Sequence, residues 1–335
     1  MTQADIVLQA LLDGEGAVSG QWLSEQLGVT RAAVWKYVKE LQERGYPIEA
    51  TPRTGYRITA LPDWLDEPLL RHALRQQGYT GSWCGTLDTH DMLHSTNQRA
   101  RELAQNGAAE GTVVLADAQT QGRGRMGRTW DAQPGLGLWM SIILRPTAPP
   151  HRVPGFTLVT ALALHRALAD FGLPVGIKWP NDLLLGDGRK VCGILTEMSC
   201  DMDRVHWLVV GIGLNVHHTT EDFPEELRGQ AGSLAELGFQ GTRASILASL
   251  MTRLELLYRI YLTEGLTSLL PAYRNASVTI GRQVQVSDPS LPMDPVTGMP
   301  GVRRGLAKAV DDDGALLLDT PEQGVLRVVC GDIRG

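Results

Sequence analysis

The first 60 residues place their apolar side chains at helical spacing. Between Ile6 and Leu12 these positions recur so that they share one helical face, which predicts a first helix. A second helix is predicted from Ser19, a favourable N-cap, to Gly28, a favourable C-cap. A third begins after Thr30 and carries its own apolar stripe. The tight glycine-containing turn between the last two helices is typical of a helix-turn-helix.

The residues after the third helix predict a hairpin and then a boundary. Ile48 to Ile58 has the pattern of a two-stranded wing, so the first 60 residues are predicted to form a winged helix. Residues 61–68 are rich in proline and acidic residues, which indicates a linker. Beyond them, buried strand patterns alternate with amphipathic helices, which predicts an α+β fold.

The strand and helix patterns of the rest of the chain predict two further segments. Buried strands are predicted near Val113, from Leu136 to Leu144, and as a pair over 190–197 and 205–216, with a buried helix over 157–171 between them. Residues 69–274 are therefore expected to form a central mixed sheet with helices. Short β-like runs separated by turns predict a small β-barrel over 275–335. A proline-rich insert at 288–301 is expected to be an exposed loop.

Composition and charge restrict the possible partners. With 335 residues, 43% apolar and 20% charged, the chain has the composition of an ordinary globular protein of two or three domains. Its net charge of −6 means that any contact with nucleic acid must be local. Its four cysteines form no CxxC pair and are expected to be reduced. Because no apolar run approaches the roughly 18 residues of a membrane span, we expect a cytoplasmic protein.

One side of the third helix is predicted to be cationic and aromatic, and the wing adds two arginines. The residues are Arg31, Trp35, Lys36 and Lys39 on the helix and Arg53 and Arg57 in the wing. Such a face favours a helix in the major groove of DNA, with the wing on flanking phosphates. A protein-interaction module is the alternative, because basic and acidic residues are almost balanced over residues 1–60.

The segment from Gln119 to Trp130, QTQGRGRMGRTW, alternates glycines with arginines. Glycine lets the backbone approach a ligand closely, and arginine binds phosphate or carboxylate through two hydrogen bonds. The predicted strands on either side favour an anion-binding site over the alternative of a flexible basic or RNA-binding surface loop. The segment is neither a Walker loop nor a dinucleotide-binding fingerprint, since it lacks the residues and the following helix that those motifs require.

Three further segments have residues suited to a polar ligand. Ser95 is predicted to start a helix in a capping box with Gln98, and a helix start can also bind a polar head group. Lys178 precedes a Trp-Pro-Asn-Asp turn next to a buried strand, where its ammonium would meet little water. Gly211 and Gly213 lie in a predicted strand, which indicates a bulge or close approach by a ligand.

Taken in order, these motifs resemble those of the bifunctional biotin–protein ligases that also repress the biotin operon. The resemblance spans almost the whole chain and rests on Ser95-Thr96-Asn97, the Gly122 to Trp130 loop, Lys178-Trp179-Pro180-Asn181-Asp182 and Gly211-Ile212-Gly213-Leu214-Asn215. It implies that 1–60 is a DNA-binding winged helix, 69–274 the ligase domain and 275–335 an SH3-like barrel.

The resemblance also implies the roles of individual residues. Biotin or its adenylate would be bound by Ser95, Thr96, Asn97, Gln119, Arg123, Gly124, Arg125, Lys178, Gly211 and Gly213. Adenine would contact Trp130 and Asn215, and Arg123, Arg125 and Lys178 would be the catalytic cations. The loop carries Met126 where the family often has arginine, and residues 217–233 lack the tryptophan found in some members.

The reaction that the resemblance implies joins biotin to AMP and then to a lysine of a biotin carboxyl carrier protein. ATP and Mg²⁺ are the expected cofactors, with the ion held mainly by phosphates and by one carboxylate such as Asp182. The adenylate-bound form is expected to be a homodimer on operator DNA. The alternatives are a ligase without operator binding, a noncatalytic sensor of a small acid, and a lipoate ligase.

Overall fold

The computed structural model describes residues 2–14, 16–51, 53–288, 301–321 and 323–334. The chain divides into two units, Met1–Thr80 with Gly241–Ala248, and Gly81–Gln240 with Ser249–Gly335. Apart from its two end residues, the predicted exposed loop at 288–301 lies outside the described residues.

The first unit contains the winged helix that the sequence predicts. Its elements are α1 (Gln3–Asp13), α2 (Gly20–Leu27), α3 (Arg31–Glu43), the hairpin of β1 (Ile48–Thr51) with β2 (Gly55–Ile58), and α4 (Glu67–Gln76). Ser19 caps α2 and Thr30 caps α3, each accepting from a backbone N–H one turn later. Gly28 ends α2 with φ of 63°, a conformation that glycine adopts without strain.

The core of this unit explains which side of α3 remains exposed. Val34, Val38 and Leu41 recur at helical spacing and are buried together with side chains of α1 and α2. The exposed surface of α3 carries Arg31, Trp35, Lys36 and Lys39. The predicted recognition face therefore lies on the surface of the unit.

The predicted linker is anchored within the first unit. Asp66 caps α4 by accepting from the N–H of Leu69, and the Tyr46 hydroxyl donates to the same carboxylate. Burial raises the pKa of Asp66. Asp63 accepts from the backbone N–H and the guanidinium of Arg243, which is buried. Because these contacts fix both ends of residues 63–66, this part of the linker is ordered.

The second unit is built on a mixed sheet. Its first elements are β3 (Leu87–Leu93), α5 (Thr96–Gln105), β4 (Val113–Gln119), β5 (Gly137–Leu144), α6 (Val153–Ala169), β6 (Gly176–Lys178), β7 (Asp182–Leu184), β8 (Lys190–Cys200) and β9 (Val205–Asn215). The strand order is β3-β4-β5-β9-β8-β7-β6, with β3 and β4 parallel and the other pairs antiparallel. The mixed sheet confirms the predicted α+β class.

The buried faces of this sheet follow from the sequence pattern. Every residue of β5 is buried, as its nearly continuous apolar run predicts. Helix α6 is buried on most sides and starts at Val153, four residues before the predicted Thr157. No helix in the described ranges is long and apolar enough to cross a membrane.

Two helices and an antiparallel sheet complete the second unit. They are α7 (Arg243–Glu264), whose first residues belong to the first unit, α8 (Leu270–Ala276), and β10 (Gln283–Ser287), β11 (Val302–Val310), β12 (Leu316–Thr320), β13 (Gly324–Val328) and β14 (Asp332–Arg334). The last five pair in the order β13-β12-β11-β10-β14. The predicted C-terminal strands are confirmed, and their closure into a barrel stays a prediction.

Candidate active site

A cavity of about 460 Å³ opens on the second unit where β4, β8, β9 and the start of α5 meet. Its lining includes Ser95, Thr96, Asn97, Gln119, Arg123, Gly124, Arg125, Trp130, Asn181, Lys190, Gly193, Gly211 and Gly213, and an apolar part formed by Met140, Ile194, Leu195 and Ile212. The cavity therefore brings together most of the predicted ligand-binding residues, although they are distant in the sequence.

The start of α5 presents a polar group to this cavity. Ser95 occupies the N-cap position but makes no side-chain cap hydrogen bond, and Gln98 donates to Glu102, so the predicted capping box is wrong. A different hydrogen bond forms at this helix start, in which the N–H of Thr96 donates to Gln119 of β4 at 2.7 Å. The Ser95 hydroxyl lies on the cavity wall with the residue 4% exposed, and it is available to a ligand.

A buried hydrogen-bond network holds Asn97 in place beneath the cavity. The Ser141 hydroxyl of β5 lies 2.6 Å from Asn97 Oδ1 and 2.8 Å from Thr96 Oγ1. The Asn97 amide donates to Glu197 at 2.7 Å, and Glu197 also pairs with Arg101 at 3.1 Å. Buried polar groups that are fully paired keep a fixed orientation. Sequence reasoning missed Ser141, whose signal is a single hydroxyl within a completely buried strand.

The glycines of β8 and β9 leave room for side chains of this same chain. A Cβ on Gly211 would lie 2.0 Å from Asn97 Oδ1, and a Cβ on Gly213 would lie 2.7 Å from the Trp130 ring. Gly193, the partner of Gly213 across the two strands, would place a Cβ 2.9 Å from the same ring. The glycines thus allow close approach by Asn97 and Trp130 of this chain, and the predicted close approach by a ligand stays a prediction.

The glycine–arginine loop folds back on itself and separates its arginines. The Trp130 N–H donates to the Gly122 carbonyl at 2.9 Å, and Met126 turns the chain with φ of 56°. Arg125 lies on the cavity wall, where its guanidinium donates to Asn181 Oδ1 at 2.7 Å. Arg128 instead forms an ion pair with Asp332 of β14.

The cavity also contains a lysine that the sequence reasoning missed. Lys190, the first residue of β8, lines the cavity with Nζ 2.7 Å from Asp182 Oδ1 and 5.3 Å from the Trp130 ring centroid. Lys178, the predicted lysine, pairs with Asp182 across β6 and β7 and is not among the lining residues. The available signal was the position of Lys190 three residues before Gly193 on a strand paired with the glycine strand.

The side chains near Asp182 do not provide a cage for a metal ion. Its carboxylate lies against the Lys190 ammonium. Within the described ranges, no group of three or more histidine, cysteine, aspartate or glutamate side chains could hold a cation. Because Mg²⁺ is usually bound by substrate phosphates with one or two carboxylates, the predicted role of Asp182 stays a prediction.

Aromatic rings connect the cavity wall to the segment after β9. Trp130 contacts Trp139 edge-on at 6.4 Å, and Trp139 contacts His218 at 6.0 Å. His218 stacks on Phe223 at 4.7 Å. Asn215 lies outside the cavity wall and donates to the Gly232 carbonyl at 3.0 Å, so it ties down the other end of this segment.

Stability is expected to fall as the pH drops through the range in which His218 titrates. Burial lowers the pKa of His218 from 6.5 to about 4, although Asp131 and Asp222 act in the opposite direction. The unfolded chain therefore binds this proton below pH 6.5 while the folded chain excludes it until pH 4. Below the folded-state pKa of about 4, the free energy of unfolding is smaller by at most roughly 3 kcal/mol.

Urea unfolding between pH 7 and pH 4 measures this effect. His218→Phe keeps an aromatic ring in the stack and should give a flatter pH profile than the wild type. His151→Gln, a change at an exposed histidine, should leave the profile unchanged. Identical profiles for His218→Phe and the wild type would contradict the assignment.

Comparisons with known proteins agree with this arrangement. Residues 90–215 match the model of the biotin/lipoate A/B protein ligase family, and residues 3–57 match a helix-turn-helix domain model. The first match contains the serine start of α5, the arginine loop and both glycine strands. The second coincides with the winged helix.

Similarity to individual proteins extends over most of the chain. It is 40% identical over 322 residues to the bifunctional ligase/repressor BirA of Bacillus subtilis, covering 96% of this chain and 94% of that protein. It is 35% identical over 279 residues to a biotin–acetyl-CoA-carboxylase ligase of Mycobacterium tuberculosis, covering 81% of this chain and 97% of that protein. A biotin protein ligase from Aquifex aeolicus, solved with biotin and ATP, has a TM-score of 0.61 and 28% identity over 75% of this chain and 98% of that one.

Proposed function

This chain belongs to the family of bifunctional biotin ligase/repressors, and from that premise we propose how its cavity and its winged helix perform the two activities. The protein is an ATP-dependent biotin–protein ligase that binds biotin and ATP and carries a DNA-binding repressor domain. It activates biotin as biotinyl-5′-AMP and transfers the biotinyl group to a carrier-protein lysine.

The observation that carries the catalytic proposal is the grouping of Arg123, Arg125 and Lys190 around one cavity. Adenylation requires the biotin carboxylate to attack the α-phosphorus of ATP while pyrophosphate leaves, so two anions must approach each other. Fixed cations stabilise the negative charge that accumulates there, and each donor contributes about 3 kcal/mol. Lys178 is proposed as a further cation. It lies on β6, which β7 separates from the cavity strand β8.

The biotin end of the site is proposed to lie between the start of α5 and β9. The Ser95 hydroxyl and the Thr96–Gln119 pair are the polar groups that can match the ring amides of biotin. The apolar residues of β5, β8 and β9 in the lining would cover the fused rings. Asn97, Gly124, Gly211 and Gly213 shape the floor on which the acyl chain rests.

The adenine end is proposed to involve Trp130 and Asn215. Trp130 lines the cavity, and its ring packs on Gly193 and Gly213, so it offers an aromatic face to a base. Asn215 would act indirectly, because its hydrogen bond to the Gly232 carbonyl holds the segment after β9 in place. Phe223 belongs to the same segment, where it is buried and stacks on His218.

Mg²⁺ is proposed to bind together with ATP. The phosphates would provide most of its ligands, and the Asp182 carboxylate would remain with Lys190. When bound, such an ion offsets charge on the leaving pyrophosphate. The steps assigned to this chain are binding, orientation and charge stabilisation by its own side chains.

The second step needs no covalent enzyme intermediate. The acyl-adenylate is already activated, and the amine of a lysine on the biotin carboxyl carrier protein attacks its carbonyl carbon, expelling AMP. Cys192 belongs to β8, one of the cavity strands, but burial raises the pKa of its thiol, so it is not a thiolate nucleophile at neutral pH.

Incubation of the full chain with biotin, ATP, Mg²⁺ and a biotin carrier domain tests the ligase activity. Intact-mass measurement of the carrier should show one added biotinyl group, and ATP–pyrophosphate exchange should depend on biotin. Exchange that depends on lipoate in place of biotin would identify a lipoate ligase. No exchange with either acid would support a noncatalytic sensor.

Arg125→Gly is expected to release the adenylate about tenfold faster or more, because a hydrogen-bonded charge at the cavity wall is lost. Escaped adenylate acylates lysines at random, so biotinylation of a bystander protein should rise. Arg128→Gly removes a guanidinium from the same loop but outside the cavity lining, and it should retain the adenylate. Equal retention by Arg125→Gly and the wild type would contradict the role of Arg125.

The repressor activity is proposed to use the exposed face of α3 and the wing. Arg31, Lys36 and Lys39 are exposed, as is Arg53. Arg57 lies 3.3 Å from Glu49 on the neighbouring strand, so it contributes less to phosphate binding than the sequence predicts.

We propose that the adenylate-bound protein is a homodimer that binds two DNA half-sites in the cytoplasm, where ATP and reduced thiols are present. Light scattering with and without biotin and ATP tests the dimer. A gel-shift assay with biotin-operon promoter DNA tests binding, and a ligase that shifts no DNA would favour the alternative of a ligase without operator binding.

A further inference from the structure

Trp35 stands out on the surface of the first unit. It is 55% exposed in the middle of α3, beside the buried stripe that contains Val34 and Val38. Single exposed apolar side chains are common and need no explanation by themselves. The charged side chains around this indole indicate a function for it.

The indole lies within a group of cations. Arg31 and Lys39 are one helical turn before and after it, and the Lys39 ammonium is 5.2 Å from the ring centroid. In the described part of the chain, Arg31, Lys36 and Lys39 form no ion pair with an acidic side chain. Unpaired cations on one helix face attract a polyanion.

The groups that base pairs present in the major groove determine what the indole would contact. In a protein–DNA complex, arginine and lysine side chains contact phosphates, and a few side chains of the recognition helix reach base edges. The one apolar group that a standard base pair presents in this groove is the C5-methyl of thymine. A broad indole surface therefore favours thymine over the other bases.

We propose that Trp35 is a specificity-determining residue that packs on the methyl group of one thymine in each DNA half-site. This inference rests on the proposed repressor function and adds the base that α3 selects. Arg31, Lys36 and Lys39 supply affinity for the DNA backbone, and Trp35 supplies the preference for a methyl group.

The test uses duplexes enriched from a random pool by the full chain in the presence of biotin and ATP. In the best duplex, each thymine is replaced singly by deoxyuridine, which keeps base pairing and lacks only the methyl group. At one thymine per half-site the wild type should bind about fourfold more weakly, the value of one buried methyl group. Trp35→Ala should bind the thymine and deoxyuridine duplexes equally at that position.

Two matched variants separate this role from general binding. Trp22→Ala removes the other exposed tryptophan of the helix-turn-helix, 45% exposed on α2, and should retain the methyl preference. Lys39→Ala should weaken binding to all sequences and reduce the slope of log K against log[salt] by about one. The preference for the methyl group should persist in this variant. Thermal unfolding of Trp35→Ala should match the wild type, because the side chain is on the surface.

Several results would overturn the inference. Deoxyuridine replacements that all change wild-type binding by less than twofold would exclude a methyl contact, as would an unchanged preference in Trp35→Ala. A change in oligomeric state with unchanged DNA recognition would make the indole a protein contact. Failure to enrich any sequence would refute the repressor function itself, whereas an enriched sequence without methyl dependence would refute this inference only.

Discussion

Lys190→Met is expected to slow the formation of biotinyl-AMP about 100-fold or more, the usual cost of removing a fixed charge donor from an active site. The reason is the position of this ammonium on the cavity wall with Arg123 and Arg125, 2.7 Å from Asp182. Rapid-quench measurement of adenylate formation reports this step apart from transfer. Lys190→Arg, which keeps the charge, should recover part of the rate.

Two other lysine variants serve as controls. Lys178→Met should slow adenylation less than Lys190→Met, because Lys178 lies outside the cavity lining. Lys308→Met changes an exposed lysine of β11 and should have no effect. A larger effect at Lys178 than at Lys190 would show that Lys178, the lysine of the sequence motif, is the main catalytic lysine.

Gly211→Ala is expected to lower kcat/KM about 100-fold, because small displacements of a positioning group have costs of this size. The new Cβ would be 2.0 Å from Asn97 Oδ1, and Asn97 cannot yield easily since its amide and carbonyl are bonded to Glu197 and Ser141. Such overpacking also lowers the free energy of unfolding by about 1–3 kcal/mol.

The glycine variants can be ranked by what their Cβ would meet. Gly193→Ala would press on the Trp130 ring at 2.9 Å, so its effect depends on how far that ring can shift, and we expect a smaller loss. Gly186→Ala has open space around its Cβ and is the control for the substitution itself. Wild-type activity in Gly211→Ala would show that Asn97 can move without consequence.

Much of the architecture could be predicted because it depends on local spacing. The caps at Ser19 and Thr30 and the buried run of β5 follow from patterns of a few residues. The predicted anion loop lines the cavity with two of its arginines. The predicted capping box at Ser95 is absent, because Gln98 donates to Glu102 and Ser95 lies on the cavity wall.

The residues that sequence reasoning missed depend on pairing between distant segments. Lys190 lines the cavity because β8 pairs with both β7 and β9. Ser141 and Gly193 matter only in contact with Asn97 and Trp130. Such contacts leave only weak signals in the sequence, such as the single hydroxyl of Ser141 in a buried strand.

The sequence by itself determined which segments are helices and strands, because periodicity acts over short distances. Residue chemistry also predicted an anion-binding role for the glycine–arginine loop. The tertiary structure decided which cations share the cavity. Strand pairing brings Lys190 to the cavity wall, and Arg128 of the same loop is paired with Asp332 instead. The physical reason is that a charge stabilises a reaction only over a few ångströms, and the residues that meet within this distance come from segments far apart in the chain.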